Sequence, residues 1–131
     1  MRSIRVSSFD GVDALTLEDI PPPVAGPGEV RIKVYVGGVN FPDLLMSEGK
    51  YQHKPEMPFT PGLEAAGVVI DVGEGVKRFK PGERVMGFFD DGAFAEEAII
   101  AEKYLMHVPD GMNWEMAGGF CLTHTTSHAA L

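Results

Sequence analysis

Cysteine is almost absent from this sequence, and long apolar runs are absent altogether. Cys121 is the one cysteine, which excludes an internal disulfide framework and indicates a reducing compartment. Residues 1–6 lack the apolar core of a signal peptide, and no apolar run reaches the roughly 18 residues that a membrane span needs. We therefore expect a soluble, cytoplasmic protein with no membrane partner.

Basic residues and nucleotide-binding or nucleophile motifs are also scarce. The chain has 11 Lys and Arg against 19 Asp and Glu, a net charge of −8. Nucleic acids select basic surfaces, so none is expected as a partner. No Gly-x-Gly-x-x-Gly follows a strand, and no serine lies in a nucleophile elbow. The chain alone therefore carries no dinucleotide fingerprint and no sign of nucleophilic catalysis.

Glycine and proline, in contrast, are abundant. With 16 Gly and 10 Pro in 131 residues, one domain of short strands and many turns is predicted. The clearest period-two pattern covers residues 30–36, where valine or isoleucine alternates with Arg31, Lys33 and Tyr35. Further strands are predicted at 4–9, 15–20, 68–72, 84–89, 93–100 and 105–108, with hairpins around residues 10–11 and 90–92. This pattern predicts a mainly β fold, a partly open β-barrel, with short helices near 42–46, after Asn113 and over 123–131.

The most informative stretch runs from Pro58 to Gly87. Small residues at 65–67 allow another backbone to approach closely, and the β-branched run at 68–72 predicts an interior strand beside a cleft. Glu64 is a carboxylate among small apolar neighbours, which is costly unless it is hydrogen-bonded or solvated. Upstream, Gly37 and Gly38 are predicted to end the strand at 30–36, so that Asn40 lies at the end of this strand.

Two motifs carry a family resemblance. Gly38-Val39-Asn40-Phe41-Pro42-Asp43 and the run from Pro58 to Gly67 resemble the N-terminal, GroES-like domain of medium-chain dehydrogenases/reductases, in the zinc-independent quinone oxidoreductase branch. The resemblance implies a GroES-like catalytic domain over 1–119. It also implies that 120–131 begin a helix leading to an absent Rossmann domain, which would bind most of the NADPH.

The same resemblance implies an activity and an assembly. The whole protein would transfer hydride from NADPH to a quinone or another α,β-unsaturated carbonyl as a homodimer, whereas this fragment alone would be an inactive monomer. The rival interpretation is a stand-alone, non-enzymatic GroES-like binding or assembly module, which rests on fold analogy alone.

Zinc is not expected, although related alcohol dehydrogenases use it. Their motif places a cysteine where this chain has Asn40 and a histidine where it has Leu63. An amide binds zinc poorly and leucine cannot bind it. Cys121 falls near a third ligand position, but one thiolate does not make a site.

The resemblance also assigns site residues. Asn40, Tyr51 and Thr125 are expected to contact the cofactor, and Phe41, Tyr51 and Glu64 to line the substrate pocket. For Glu64 two hypotheses stay open: a polar group near the nicotinamide, or a structural acid bonded to backbone amides, which we favour. Asp43 is expected to cap its helix rather than bond within the site. No side chain is expected to act as a covalent catalyst.

Overall fold

The computed structural model describes residues 1–131 and shows a mainly β domain with short helices. The strands are β1 (Arg2–Arg5), β2 (Thr16–Asp19), β3 (Glu29–Gly37), β4 (Glu64–Val72), β5 (Arg84–Phe88), β6 (Glu97–Ala101) and β7 (Leu105–His107). The helices are α1 (Phe41–Ser47), α2 (Trp114–Gly118) and α3 (Cys121–Ala130), and single 3-10 turns cover Val12–Ala14 and Glu102–Tyr104. No helix combines the length and apolar character that crossing a bilayer would require.

The strands form two antiparallel sheets. β1 and β2 pair as the predicted opening hairpin, with Arg2 opposite Asp19. β1 covers Arg2–Arg5 rather than 4–9, however, and residues 6–15 connect the two strands instead of a tight turn at 10–11. The other five strands follow the order β6-β3-β4-β5-β7, so β6 and β7 are edge strands and the barrel is partly open. β4 lies at the centre, as predicted, and the predicted fold class is confirmed.

The alternation in β3 places one face in the core. Val30 and Ile32 are fully buried, while the intervening Arg31 and Lys33 point away from the core. Together with apolar side chains from β4, β5, β6 and β7 they form the largest buried cluster. Burial of this kind stabilises the domain by about 25 cal/mol for each Å² of apolar surface removed from water.

The small residues of β4 have the predicted consequence. A Cβ on Gly67 would collide with the backbone carbonyl of Lys33 on β3, so glycine is what lets these two strands pack at this point. The same central position brings the first residue of β4, Glu64, between the end of β3 and the helices.

The predicted hairpin between 84–89 and 93–100 is wrong. β5 pairs with β4 and β7, and β6 pairs with β3. The chain between them is instead bonded to the preceding loop: the N–H groups of Gly92 and Phe94 donate to the carbonyls of Thr60 and Pro61 at 2.7 and 2.9 Å. Since these backbone groups are already satisfied, residues 92–94 do not extend a ladder with β5.

The helices start close to their predicted positions. Asn113 caps α2, its Oδ1 accepting from the N–H of Met116 at 2.8 Å. α2 packs against β3 through Gly118, where a Cβ would overlap Val36. α3 begins at Cys121, two residues before the prediction, and α1 begins at Phe41, so that Pro42 is its second residue.

Candidate functional site

The site begins where β3 ends and α1 starts. Asn40 precedes α1 in an extended conformation, with φ −129° and ψ 162°. The Asp43 carboxylate accepts from the Asn40 backbone N–H at 2.8 Å, and this bond satisfies one of the free donors at the helix start. Asp43 therefore caps α1, as predicted, and fixes the backbone of Asn40.

Glu64 joins three elements of the fold. Its side chain is only 2% exposed. Oε1 accepts from Nδ2 of Asn40 at 3.0 Å, and Oε2 accepts from the backbone N–H of Leu122 in the first turn of α3 at 2.8 Å. We call Asn40, Glu64 and the Leu122 N–H the Glu64 node. The favoured hypothesis was an acid bonded to backbone amides. Glu64 in fact accepts from one backbone amide, that of Leu122, and from one side-chain amide, that of Asn40.

Gly38 leaves the space that the Glu64 carboxylate occupies. A Cβ at position 38 would overlap Oε1 of Glu64 and lie 2.7 Å from its Cδ. The Gly38 carbonyl also accepts from Nδ2 of Asn40 at 3.3 Å. Gly38, the first residue after β3, therefore has two roles: it follows the end of the strand, and its missing side chain leaves room for the Glu64 carboxylate.

The electrostatics of this region disfavour a reactive thiol. Burial, and then the nearby Glu64 charge, raise the pKa of Cys121 to about 12. Burial also raises the pKa of Asp43, with Glu64 adding to the effect, while the N–H of Asn40 pulls that pKa down. One oxygen of Asp43, Oδ1, is buried without a hydrogen-bond partner. Cys121 therefore stays a neutral thiol near neutral pH and is no nucleophile.

A cavity of about 300 Å³ adjoins the Glu64 node. Leu63 and Leu122, which flank the node, contribute to its wall. Aromatic side chains supply much of the rest, and they come from Tyr51, Phe88, Phe89 and Tyr104. Its polar lining is Gln52, His53 and Asp90, with no lysine or arginine. The chemistry of this wall suits a planar, uncharged ligand.

The loop carrying Tyr51 is held against the β5–β6 connection. Nε2 of His53 lies 2.8 Å from Oδ2 of Asp91, and Tyr51 itself packs on the buried cluster of Val6, Met46, Phe59 and Leu63. The loop between α1 and β4 is therefore anchored through the side chains of both Tyr51 and His53.

The other predicted site residues lie elsewhere. Phe41 is 68% exposed and does not line this cavity. Phe41, Val39, which is 79% exposed, and Leu44 are exposed apolar side chains close in sequence to Asn40, and we call them the apolar edge. Thr125 lies three residues beyond Leu122 on α3, half-buried, and its hydroxyl makes no hydrogen bond within the chain. Of the three residues predicted for the substrate pocket, only Tyr51 lines the cavity, while Glu64 lies behind it in the node.

Sequence reasoning missed the Leu122 N–H and the apolar edge at Val39. A backbone donor carries no residue-type signal, so only the docking of α3 could reveal it. Val39 and Leu44 could have been noticed in the sequence, because they are apolar residues close to the polar Asn40 and Asp43. Whether such residues are exposed depends on the fold and could not be predicted.

The family resemblance sets Asn40 and Leu63 at zinc-ligand positions of related enzymes, and Cys121 near a third. Nowhere in the chain do three or more His, Cys, Asp or Glu side chains group so that they could hold a metal ion. The donor set at these positions does not fit zinc, because an amide and a thiol with a strongly raised pKa bind it poorly.

Comparison with known proteins places the chain in a family. Residues 26–110 match the family model described as the alcohol dehydrogenase GroES-like domain. The chain is 37% identical to the rat synaptic vesicle membrane protein VAT-1 homolog, over all of this chain and 33% of the relative. It is also 37% identical to the quinone oxidoreductase of Lama guanicoe, over all of this chain and 40% of that protein.

A solved structure agrees with these matches. The quinone oxidoreductase of Thermus thermophilus, whose structure has also been solved with NADPH, superposes with a TM-score of 0.85 at 32% identity, covering all of this chain and 40% of that one. The chain thus spans between a third and two fifths of the curated relatives it matches. By its matched residues and its fold, the chain belongs to the alcohol dehydrogenase GroES-like domain family of the medium-chain dehydrogenases/reductases.

Proposed function

We propose that the chain is the substrate-side domain of an NADPH-dependent oxidoreductase that transfers hydride to a quinone or another α,β-unsaturated carbonyl. The observation that carries the proposal is the largely aromatic cavity beside the Glu64 node, whose lining contains no lysine or arginine. Relatives named quinone oxidoreductase, one of them solved with NADPH, support the same chemistry.

The side chains of this domain would bind and orient rather than react. The aromatic wall offers faces against which a quinone ring packs, and it excludes water. The phenol of Tyr51 can donate to a carbonyl oxygen of the substrate, and the amide of Asn40 is held rigidly at the strand end. No nucleophile is required, because Cys121 is a buried thiol with a strongly raised pKa.

NADPH would supply the hydride. The residues present fit its nicotinamide end, which is uncharged in NADPH. They offer the apolar side chains of Val39 and Phe41, and the uncharged polar groups of Asn40 and Thr125. No glycine-rich turn is present to cradle the pyrophosphate, so most of the cofactor would bind to chain beyond Leu131. The 131-residue chain alone is therefore expected not to oxidise NADPH measurably. From the family resemblance, the same chain is proposed to be a monomer and the complete protein a homodimer.

Zinc independence follows from the donor set and has its own test. Elemental analysis of the purified chain after mild chelation should find far less than one zinc per chain. One equivalent that resists chelation would overturn this part of the proposal. A cytoplasmic location suits the buried, unpaired Cys121.

The activity is tested with the complete gene product. NADPH oxidation is followed with a series of quinones and enones, in the wild type, Tyr51→Phe and Tyr35→Phe. Tyr35 is the matched control, since it lies on the outer face of β3 against Trp114. Tyr51→Phe should lower kcat/KM several-fold, as expected for one lost neutral hydrogen bond of about 1 kcal/mol, and Tyr35→Phe should not.

The rival function, a stand-alone binding module, makes opposite predictions. The coding sequence after Leu131 should contain a strand followed by a glycine-rich turn if the enzyme proposal is right. A stop codon at that point, or a complete product without NADPH-dependent activity on any quinone or enone, would favour the module.

A further inference from the structure

We propose that Glu64 is a positioning residue: it sets the orientation of the Asn40 side chain and ties that side chain to the first turn of α3. The kinetic part of this proposal rests on the proposed function, whereas its structural part stands by itself.

The two oxygens of Glu64 face two donors. Oε1 lies 3.0 Å from Nδ2 of Asn40, and Oε2 lies 2.8 Å from the backbone nitrogen of Leu122. Both oxygens of a carboxylate accept hydrogen bonds, and neither oxygen donates one. The amide of Asn40 must therefore turn its NH₂ group toward Glu64, and its carbonyl oxygen toward the opposite side.

Neighbouring groups support the same orientation. The second N–H of Nδ2 points to the carbonyl of Gly38 at 3.3 Å. On the other side lies the start of α1, whose N–H groups are donors and suit the Oδ1 end of the amide. Reversing the amide would bring NH₂ against donors and a carbonyl against two acceptors, so the observed orientation is strongly favoured.

The bond to Leu122 connects this amide to α3. The Leu122 N–H belongs to the first helical turn, where backbone donors have no partner within the helix. The negative charge of Glu64 is also favourable at a helix N-terminus. Because Glu64 is buried and its carboxylate cannot turn to water, Asn40 and the start of α3 share one acceptor group.

This connection matters for the proposed site. α3 is the element through which the chain continues toward the proposed cofactor domain, and Asn40 is the amide proposed to contact the cofactor. Glu64 does not line the cavity and is only 2% exposed, so its effect on turnover would pass through Asn40.

The structural test compares hydrogen exchange in the 131-residue wild type, Glu64→Gln and Gly38→Ala. Glutamine has one acceptor oxygen for two donors, so the Asn40 side-chain NH₂ or the Leu122 amide should lose at least roughly tenfold in protection by NMR. Gly38→Ala keeps the charge but displaces the carboxylate, and should expose both donors. The proposal is overturned if the Asn40 side-chain NH₂ and the Leu122 amide are both as protected in Glu64→Gln as in the wild type. If Glu64→Gln does not fold, unchanged protection of both groups in Gly38→Ala overturns it.

The kinetic test is a double-mutant cycle in the complete gene product. Glu64→Gln and Asn40→Ala should each lower kcat/KM about tenfold, and the double variant should be no worse than either, within about twofold. Asn113→Ala, which weakens the cap of α2 away from the node, should leave kcat/KM unchanged. Fully additive losses would refute a role through Asn40. A wild type without reductase activity would refute the proposed function, and the exchange experiment would still decide the role of Glu64.

Discussion

Asn40→Ala should destabilise the domain more than its position at a helix start suggests. The substitution removes the donor that faces Oε1 of Glu64 at 3.0 Å, and that carboxylate is 2% exposed. A hydrogen bond to a charged group contributes about 1.5–3 kcal/mol, and burial keeps water from replacing it. We expect a loss of about 2 kcal/mol in the free energy of unfolding, which corresponds to a fall in Tm on the order of 5–10 °C.

The chain contains its own control for this prediction. Asn113, the other asparagine, also precedes a helix, but it is exposed and bonds only to the backbone N–H of Met116. Asn113→Ala should cost about 1 kcal/mol or less, the usual value for a lost cap.

The assay is urea unfolding followed by far-ultraviolet circular dichroism at pH 7. In a Glu64→Gln background the effect of Asn40→Ala should fall by about half or more, because its charged partner is gone. The reasoning is refuted if Asn40→Ala costs no more than Asn113→Ala in the wild-type background.

Three further substitutions test other features of the fold. Asp43→Asn should stabilise the chain at neutral pH: burial raises the pKa of Asp43, so its ionised form costs stability above that pKa. The advantage should fade as the pH falls toward the ordinary aspartate pKa of about 3.9 and vanish below it, where wild-type Asp43 is protonated in both states, and urea titrations from pH 3 to 7 would measure it. Arg31→Met should lower the urea midpoint slightly, because the guanidinium bridges carboxylates on β4 and β6 at 2.6 and 2.9 Å that are still partly solvated; an unchanged midpoint would contradict this. Gly118→Ala should lower stability by about 1–3 kcal/mol through overlap with Val36, while Gly119→Ala, whose Cβ would meet nothing closer than 3.8 Å, should be tolerated in thermal melts.

Strands β3 and β4 could be predicted from local sequence pattern, because alternating or continuous apolar residues determine which side chains of a strand are buried. The residues of β3 and their inward valines and isoleucine followed from this alone, as did the central strand β4 with its small residues. Helix starts at Asn113 and near Pro42 followed from capping chemistry, which is local. The resemblance of two motifs to known proteins also predicted the family, which the match over residues 26–110 confirms.

The partners of each strand and each polar side chain could not be read in the same way. The link between 92–94 and the 60–62 loop replaced an expected hairpin, because backbone donors can be satisfied by any nearby carbonyl. Likewise the sequence marked Glu64 and Asn40 as unusual residues, yet they are 24 positions apart and their bond exists only because β4 lies beside the end of β3. The second partner of Glu64, the N–H of Leu122, has no residue identity to detect, and only the docking of α3 onto the sheet places it there. Sequence thus determined which groups needed partners, since burial of an unpaired charge is costly, and the tertiary structure decided which partners they found.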